Sequence, residues 1–167
     1  MTKTIKTKDK KFSLRFATQS DTALILEFIK ELAIYEDMLD EVHATEEVLA
    51  KTLFIDKSAE VIIGEYKSDP IGFALFFQNF STFLGRPGIY LEDLYICPEM
   101  RGKGLGKVML SYLAKLALKR KCGRLEWWCL DWNESSISFY KQLGAKAMKD
   151  WTVYRVDGET LKTLAKD

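Results

Sequence analysis

"CPEMRGKGLGKVML", residues 97–110, sets Gly102, Gly104 and Gly106 among Arg101, Lys103 and Lys107 and then runs into an apolar pattern of helical period. Upstream, "IYLEDLYI" (89–96) reads as a strand that Pro98 stops. Downstream, Leu105, Val108, Met109, Tyr112, Leu113, Leu116 and Ala117 predict an amphipathic helix from Gly104 to Gly123. The glycines therefore mark a strand-to-helix junction. Backbone N–H groups without a neighbouring Cβ can approach an anion closely there, and the helix adds the positive end of its dipole. Spacing excludes two common phosphate loops. A G-x-x-x-x-G-K-[ST] loop fails because Val108 follows Gly106-Lys107 and Arg101 stands five residues before Gly106. A G-x-G-x-x-G fingerprint fails because its last position falls on Lys107 or Met109.

Working outward, "FSLRFA" (12–17) alternates as a strand, and Thr18 with Asp21 forms a capping-box pattern opening a helix. Leu24, Ile25, Phe28, Ile29, Leu32 and Ala33 would be its buried face, with Glu27, Lys30 and Glu31 in water. Thr45, with Glu46 and Glu47 behind it, predicts a second helix through Phe54. "EVIIGEY" and "IGFALFFQNF" read as antiparallel strands joined through "KSDP", and "STFLGRPG" as a loop. "RLEWWCL" (124–130) predicts a further strand, Asn133 caps a helix that Gly144 closes, and "WTVYRV" (151–156) predicts a last strand. This order specifies an α/β (α+β) fold, a mixed sheet with helices on its faces.

At 167 residues and 47% hydrophobic content the chain can bury one substantial core. Residues 1–11, with five lysines, read as a flexible tail, and residues 12–167 as a single domain. A net charge of +1 from 25 basic and 24 acidic residues provides no global field for a polyanion, which disfavours nucleic acid. No apolar run suits a membrane. Cys97, Cys122 and Cys129 are odd in number and lack metal spacing, and His43 is the one histidine; no metal is expected, and a reducing, cytoplasmic location is.

Arg101-x-x-Gly104-x-Gly106 after a strand resembles the acetyl-CoA pyrophosphate loop of the GCN5-related N-acetyltransferase (GNAT) superfamily, and the element order is similar over essentially the whole chain. "ELAIYEDM" (31–38), "STFLGRPGIYLEDLYICPEMRGKGLG" (81–106) and "LDWNESSISFYKQLGA" (130–145) resemble the spermidine/spermine (diamine) acetyltransferase family. The "ST" loop with Thr82 and no acid is closer to its thialysine branch. The resemblance implies a mostly antiparallel twisted sheet with a splayed central strand pair, a homodimer, and acetyl-CoA as cofactor. It implies an N-acetyltransferase acting on a primary amine of a small polyamine, diamine or lysine-like amino acid.

Acetyl transfer needs a neutral amine nitrogen, a polarised carbonyl and an acid for the departing thiolate. By the resemblance Leu94, Tyr95 and Ile96 line the cofactor, with the Tyr95 N–H a donor to the carbonyl. Arg101, Gly102, Lys103, Gly104, Leu105, Gly106 and Lys107 hold the pyrophosphate, and Asn133, Glu134, Ser135 and Ser136 line the cofactor's other side. Tyr140 is the implied acid and Glu92 the implied base, acting through water. Adjacent strand residues point to opposite faces, so only one of Glu92 and Asp93 should face a given pocket. Tyr35, Glu36 and Glu92 match acceptor-contacting positions, with Glu126 and Trp128 on a neighbouring strand. Two other readings stand beside this one: acetylation of a protein lysine or N-terminus, and a non-catalytic acyl-CoA sensor.

Overall fold

A computed structural model describes residues 3–166, in two compact units, Met1–Trp128 and Cys129–Asp167. The first unit is a six-stranded sheet in sequential order, β1 (Ile5–Lys6), β2 (Phe12–Phe16), β3 (Glu60–Tyr66), β4 (Asp69–Ser81), β5 (Arg86–Ile96) and β6 (Leu125–Trp127). All neighbours are antiparallel except β5 and β6. Short turns join β1 to β2, β3 to β4 and β4 to β5, whereas helical segments separate β2 from β3 and β5 from β6. Lys67 and Ser68, at φ 53° and 76°, make the two-residue turn between β3 and β4, whose positive φ values match the twist of the flanking strands. The turn is thus shifted from the expected "KSDP" centre, and Asp69 and Pro70 already belong to β4. The lysine-rich start is not tail throughout, because Ile5 pairs with Leu14 and Lys6 with Ser13.

Helix α1 (Thr22–Tyr35) follows a short 3₁₀ turn over Gln19–Asp21 that the expected capping box opens. It buries Ile25, Leu26, Phe28 and Ala33. These pack with Val61, Ile63, Phe73 and Tyr95 on one sheet face, where Phe28 stacks on Phe73 at 5.7 Å. Helix α2 (Glu46–Leu49), capped by Thr45, passes into a π-helical stretch over Ala50–Ile55 and adds Leu49 and Leu53 to the same core. Helix α3 (Leu105–Lys119) lies on the opposite face. Its Tyr112 meets Phe16 edge-on, and a Cβ on Gly64 would sit 3.4 Å from the Met109 sulfur. The period-2 alternation of β3 explains both layers, since Val61 and Ile63 point one way and Ile62 and Gly64 the other. Glu31, expected in water, is half-buried, because its carboxylate meets the Tyr95 hydroxyl.

A half-buried ion network locks β2 to α1 and β3. Arg15 donates through both terminal nitrogens to Asp21 at 2.8 Å and through Nε to Glu65 at 2.8 Å, and the Thr18 N–H also donates to Asp21. These bonds pull the Asp21 carboxyl down from 3.8 to about 2. A depressed carboxyl stabilises the fold above its unfolded value, and the contribution is lost as pH falls from about 4 through about 2. Asp21→Asn is therefore expected to cost about 2 kcal/mol at neutral pH, read by urea unfolding, and to flatten the acid limb of stability between pH 4 and 2.

The second unit holds α4 (Glu134–Gln142) and α5 (Gly158–Leu164). The Asn133 side chain accepts from the Ser136 N–H at 3.1 Å as the expected cap, and Gly144, at φ 85°, follows the helix. The strand expected over "WTVYRV" does not form: residues 151–157 are exposed and carry no regular structure. A strand is stable only against a neighbour, and the described residues of this unit contain none. Among the described residues no helix is long and apolar enough to cross a membrane.

Candidate active site

Two irregularities of β5 organise the site. The first is its parting from β6, where parallel pairing runs Ile89↔Leu125, Tyr90↔Glu126 and Leu91↔Trp127 and stops, while β5 continues to Ile96. The expected strand over 124–130 is thus only Leu125–Trp127, and Trp128 lies just beyond it, its ring edge-on to Tyr90 at 5.8 Å. From Glu92 onward that edge of β5 pairs with no other strand among the described residues, an edge called open below. Cys97 N–H donates to the Ile71 carbonyl at 2.9 Å, and a Cβ on Gly72 would collide with the Tyr95 carbonyl oxygen. Alternate residues of a strand aim their polar groups at the same neighbour, so Tyr95, like Cys97, turns its N–H to β4. The donors on the open edge are instead those of Leu94 and Ile96. This register, which periodicity cannot supply, sets the direction of the Tyr95 N–H. Gly72→Ala is expected to push Tyr95 and Ile96 off β4, costing about 1–3 kcal/mol in urea unfolding.

The second irregularity is a β-bulge. Leu75 pairs with Asp93 but Phe76 pairs with Leu91, leaving Glu92 as the extra residue. A bulge breaks alternation and re-aims side chains. Asp93 therefore shares the α1 face with Leu75, Phe73 and Tyr95, while Leu91 points to the α3 side with Phe76. Glu92 is exposed. Burial pushes the Asp93 carboxyl up to about 7, with the charges of Glu92 and then Glu36 adding to the rise. Glu36, at the C-terminus of α1, is itself raised by burial. Glu36, Glu92 and Asp93 thus form one acidic group at the mouth of the open edge. Alternation allows only one of Glu92 and Asp93 to face a given pocket, and the family resemblance points to Glu92.

The glycine loop is open on its ligand side. Gly102 and Gly104 adopt φ 74° and 75°, a Cβ on Gly102, Gly104 or Gly106 would meet nothing within 4 Å, and Gly104 provides no side-chain cap to α3. The first N–H groups of α3, from Leu105, Gly106 and Lys107, are left to an outside acceptor. A pyrophosphate fits this loop, because bare donors and a helix N-terminus meet there and Lys103 and Lys107 lie within the same stretch. The Lys103 ammonium currently donates to the Glu99 carbonyl at 3.0 Å. Arg101 is committed elsewhere: its Nε donates to the Ile96 carbonyl at 2.8 Å, its N–H to Pro98, and its guanidinium lies over Tyr35 and Tyr95.

Glu126 does not join the acidic group. It accepts from Asn79 and pairs with Arg124 at 3.0 Å, near the β4–β5 turn. Cys97, on the strand's end, is no thiolate nucleophile, since burial and then Glu31 push its thiol up to about 11. Asn133, Glu134, Ser135, Ser136 and Tyr140 lie in the second unit, the four from 133 to 136 at the start of α4, with Tyr140 half-buried and its ring 5.3 Å from that of Phe139.

A mixed sheet with a parted parallel pair and a glycine loop opening α3 is the frame of an acyltransferase. The Acetyltransferase (GNAT) family model matches residues 27–145, and the chain belongs to that family. It is 35% identical to a thialysine N-epsilon-acetyltransferase of Bos taurus over 91% of this chain and 96% of that protein. It is 31% identical to an L-ornithine N5-acetyltransferase of Arabidopsis thaliana, over 92% and 87%. Among solved structures, an integron cassette protein from the mobile metagenome of V. cholerae superposes with a TM-score of 0.79 at 26% identity, covering 94% of this chain and 99% of that one. The protein is thus an acyltransferase of the N-acetyltransferase kind.

Proposed function

We propose that the chain transfers the acetyl group of acetyl-CoA to a primary amine of a small polyamine, diamine or lysine-like amino acid of the thialysine type. The observation that carries this reading is the acidic group of Glu36, Glu92 and Asp93 beside the open edge of β5. An amine substrate arrives as a cation, and such a group attracts it and accepts its proton. The thialysine and ornithine activities of the relatives above support the substrate class, since both acceptors carry a terminal amine on a short chain.

Acetyl-CoA, when bound, supplies the activated acyl group. The N–H groups of Gly102–Lys107, with Lys103 and Lys107, hold its pyrophosphate, and those of Leu94 and Ile96 lie along its arm. Asn133, Glu134, Ser135 and Ser136 line its other side by the family resemblance. Tyr35 and Glu36 position the acceptor, with Trp128 beside them, and the Glu92–Asp93 pair takes the proton from the ammonium. Asp93 is the member whose proton affinity suits neutral pH. The Tyr140 hydroxyl holds the proton that the departing sulfur needs. Residues 12–167 act in this reading as one N-acetyltransferase domain, and homodimerisation follows from the same resemblance. The free thiols Cys97, Cys122 and Cys129 support a reducing, cytoplasmic location.

Coenzyme A release in the presence of spermine, spermidine, short diamines, ornithine, lysine, thialysine and a lysine-containing peptide tests the proposal. One small amine should stand out in kcat/KM. Reaction with the peptide alone, or with nothing, overturns the substrate class.

A further inference from the structure

Arg101 is the residue whose surroundings fit the glycine-loop reading least. Its guanidinium carbon lies 4.7 Å from the centre of the Tyr35 ring and 5.5 Å from that of Tyr95. Both are within the range in which a ring's electron-rich face attracts a cation. Its Nε caps the Ile96 carbonyl at 2.8 Å, a group that β6 would satisfy had the two strands stayed paired. Arg101 therefore sits on the open edge of β5 and reaches back to the last residue of α1. Glu31, one turn before Tyr35 on α1, meets the Tyr95 hydroxyl, and its Oε2 is buried with no hydrogen bond among the described residues. Glu31 and Arg101 act with opposite sign on both Tyr95 and Cys97. Four side chains, Glu31, Tyr35, Tyr95 and Arg101, tie the acceptor end of α1 to the strand that carries Leu94 and Ile96.

We propose that Arg101 is a positioning residue for the amine acceptor, holding Tyr35 and the α1 terminus against the open half of β5, and is not a ligand of the pyrophosphate. The inference rests on the reading that places the acceptor at the end of α1. It makes opposite demands on the two substrates. A phosphate ligand contributes to coenzyme A binding. A clamp on Tyr35 contributes to the amine.

The experiment combines coenzyme A titration calorimetry, which needs no acceptor, with steady-state kinetics of Arg101→Gln, Arg101→Lys, Tyr35→Leu and the Arg101→Gln/Tyr35→Leu double variant. Arg101→Gln is expected to leave the coenzyme A Kd within about threefold and to raise the amine KM about fivefold, the size of an exposed cation–π contact with one hydrogen bond. Tyr35→Leu should raise the amine KM as well, and the double variant should add nothing beyond the larger single effect, because both changes break one contact. Arg101→Lys should recover only part of the KM, since an ammonium keeps the charge but lacks the planar fork that stacks on the ring and caps Ile96. The lysine variant also covers the case in which the glutamine variant does not fold. A coenzyme A Kd weakened tenfold or more with an unchanged amine KM overturns the proposal and makes Arg101 a phosphate ligand. Additive effects of Arg101→Gln and Tyr35→Leu overturn it too. A wild-type protein that acetylates no amine overturns the underlying acceptor reading, and is recognised before any variant is compared.

Discussion

Asp93→Asn is expected to lower kcat/KM by about 10²-fold or more at pH 8 and to abolish the rise of activity through neutral pH. The sign follows from the chemistry. A base works only when unprotonated, and burial together with Glu92 and Glu36 lifts the Asp93 carboxyl to about 7. Activity of the wild-type protein should therefore climb as pH passes through about 7 and level off above it. The asparagine variant keeps the shape of the side chain and removes the titration, so its residual activity should be flat over the same range. Glu92→Gln is the necessary companion. Glu92 is the extra residue of the bulge and is exposed, so its removal should lower the apparent pKa of the limb and weaken amine binding without erasing the limb. If Glu92→Gln flattens the profile and Asp93→Asn keeps it, Glu92 is the base and the bulge only presents it. Because the two carboxylates interact, the measured value belongs to the pair.

Tyr140→Phe is expected to lower kcat about 10²-fold or more while leaving coenzyme A affinity within about threefold. The substitution keeps the ring that lies 5.3 Å from Phe139 and deletes only the hydroxyl, so packing within α4 is retained and the loss reports on the proton. The split matters, because a variant that lost coenzyme A affinity in parallel with kcat would point to a binding role. Turnover within threefold of wild type would return Tyr140 to a packing residue and require another proton donor. A leaving group of low basicity, such as a thiophenyl ester of the acyl donor, should recover part of the lost rate only if the missing hydroxyl is the acid.

Much of the fold was legible in residues 97–110 and their flanks. Glycines at a strand-to-helix junction have few physical uses, and the capping pair Thr18 and Asp21, the apolar stripe of α1 and the alternation of β2 obey local rules that need no tertiary information. The loop's fitness for an anion was equally local, since Gly102 and Gly104 adopt backbone angles that favour glycine. Glu31 shows where local reading ends. Helical period placed it among the solvated residues, but the hydroxyl of Tyr95, 64 positions later in the numbering, draws it inward. "WTVYRV" has the pattern of a strand, and pattern alone does not provide the neighbour that a strand requires.

By itself, then, the sequence determined the mixed sheet, the order of its elements, the glycine loop and the presence of acids near an apolar strand, because periodicity, capping and glycine chemistry act over a few residues. Only the tertiary structure decided which backbone donors face the open edge of β5, which carboxylate is half-buried, and where the Arg101 guanidinium rests. Those three outcomes depend on the pairing of Cys97 with Ile71, on the slip of one residue at Glu92, and on the approach of α1 to β5. Register and packing are long-range properties, set when distant segments bury their apolar faces together, and a single added residue in one strand reverses the direction of every side chain beyond it.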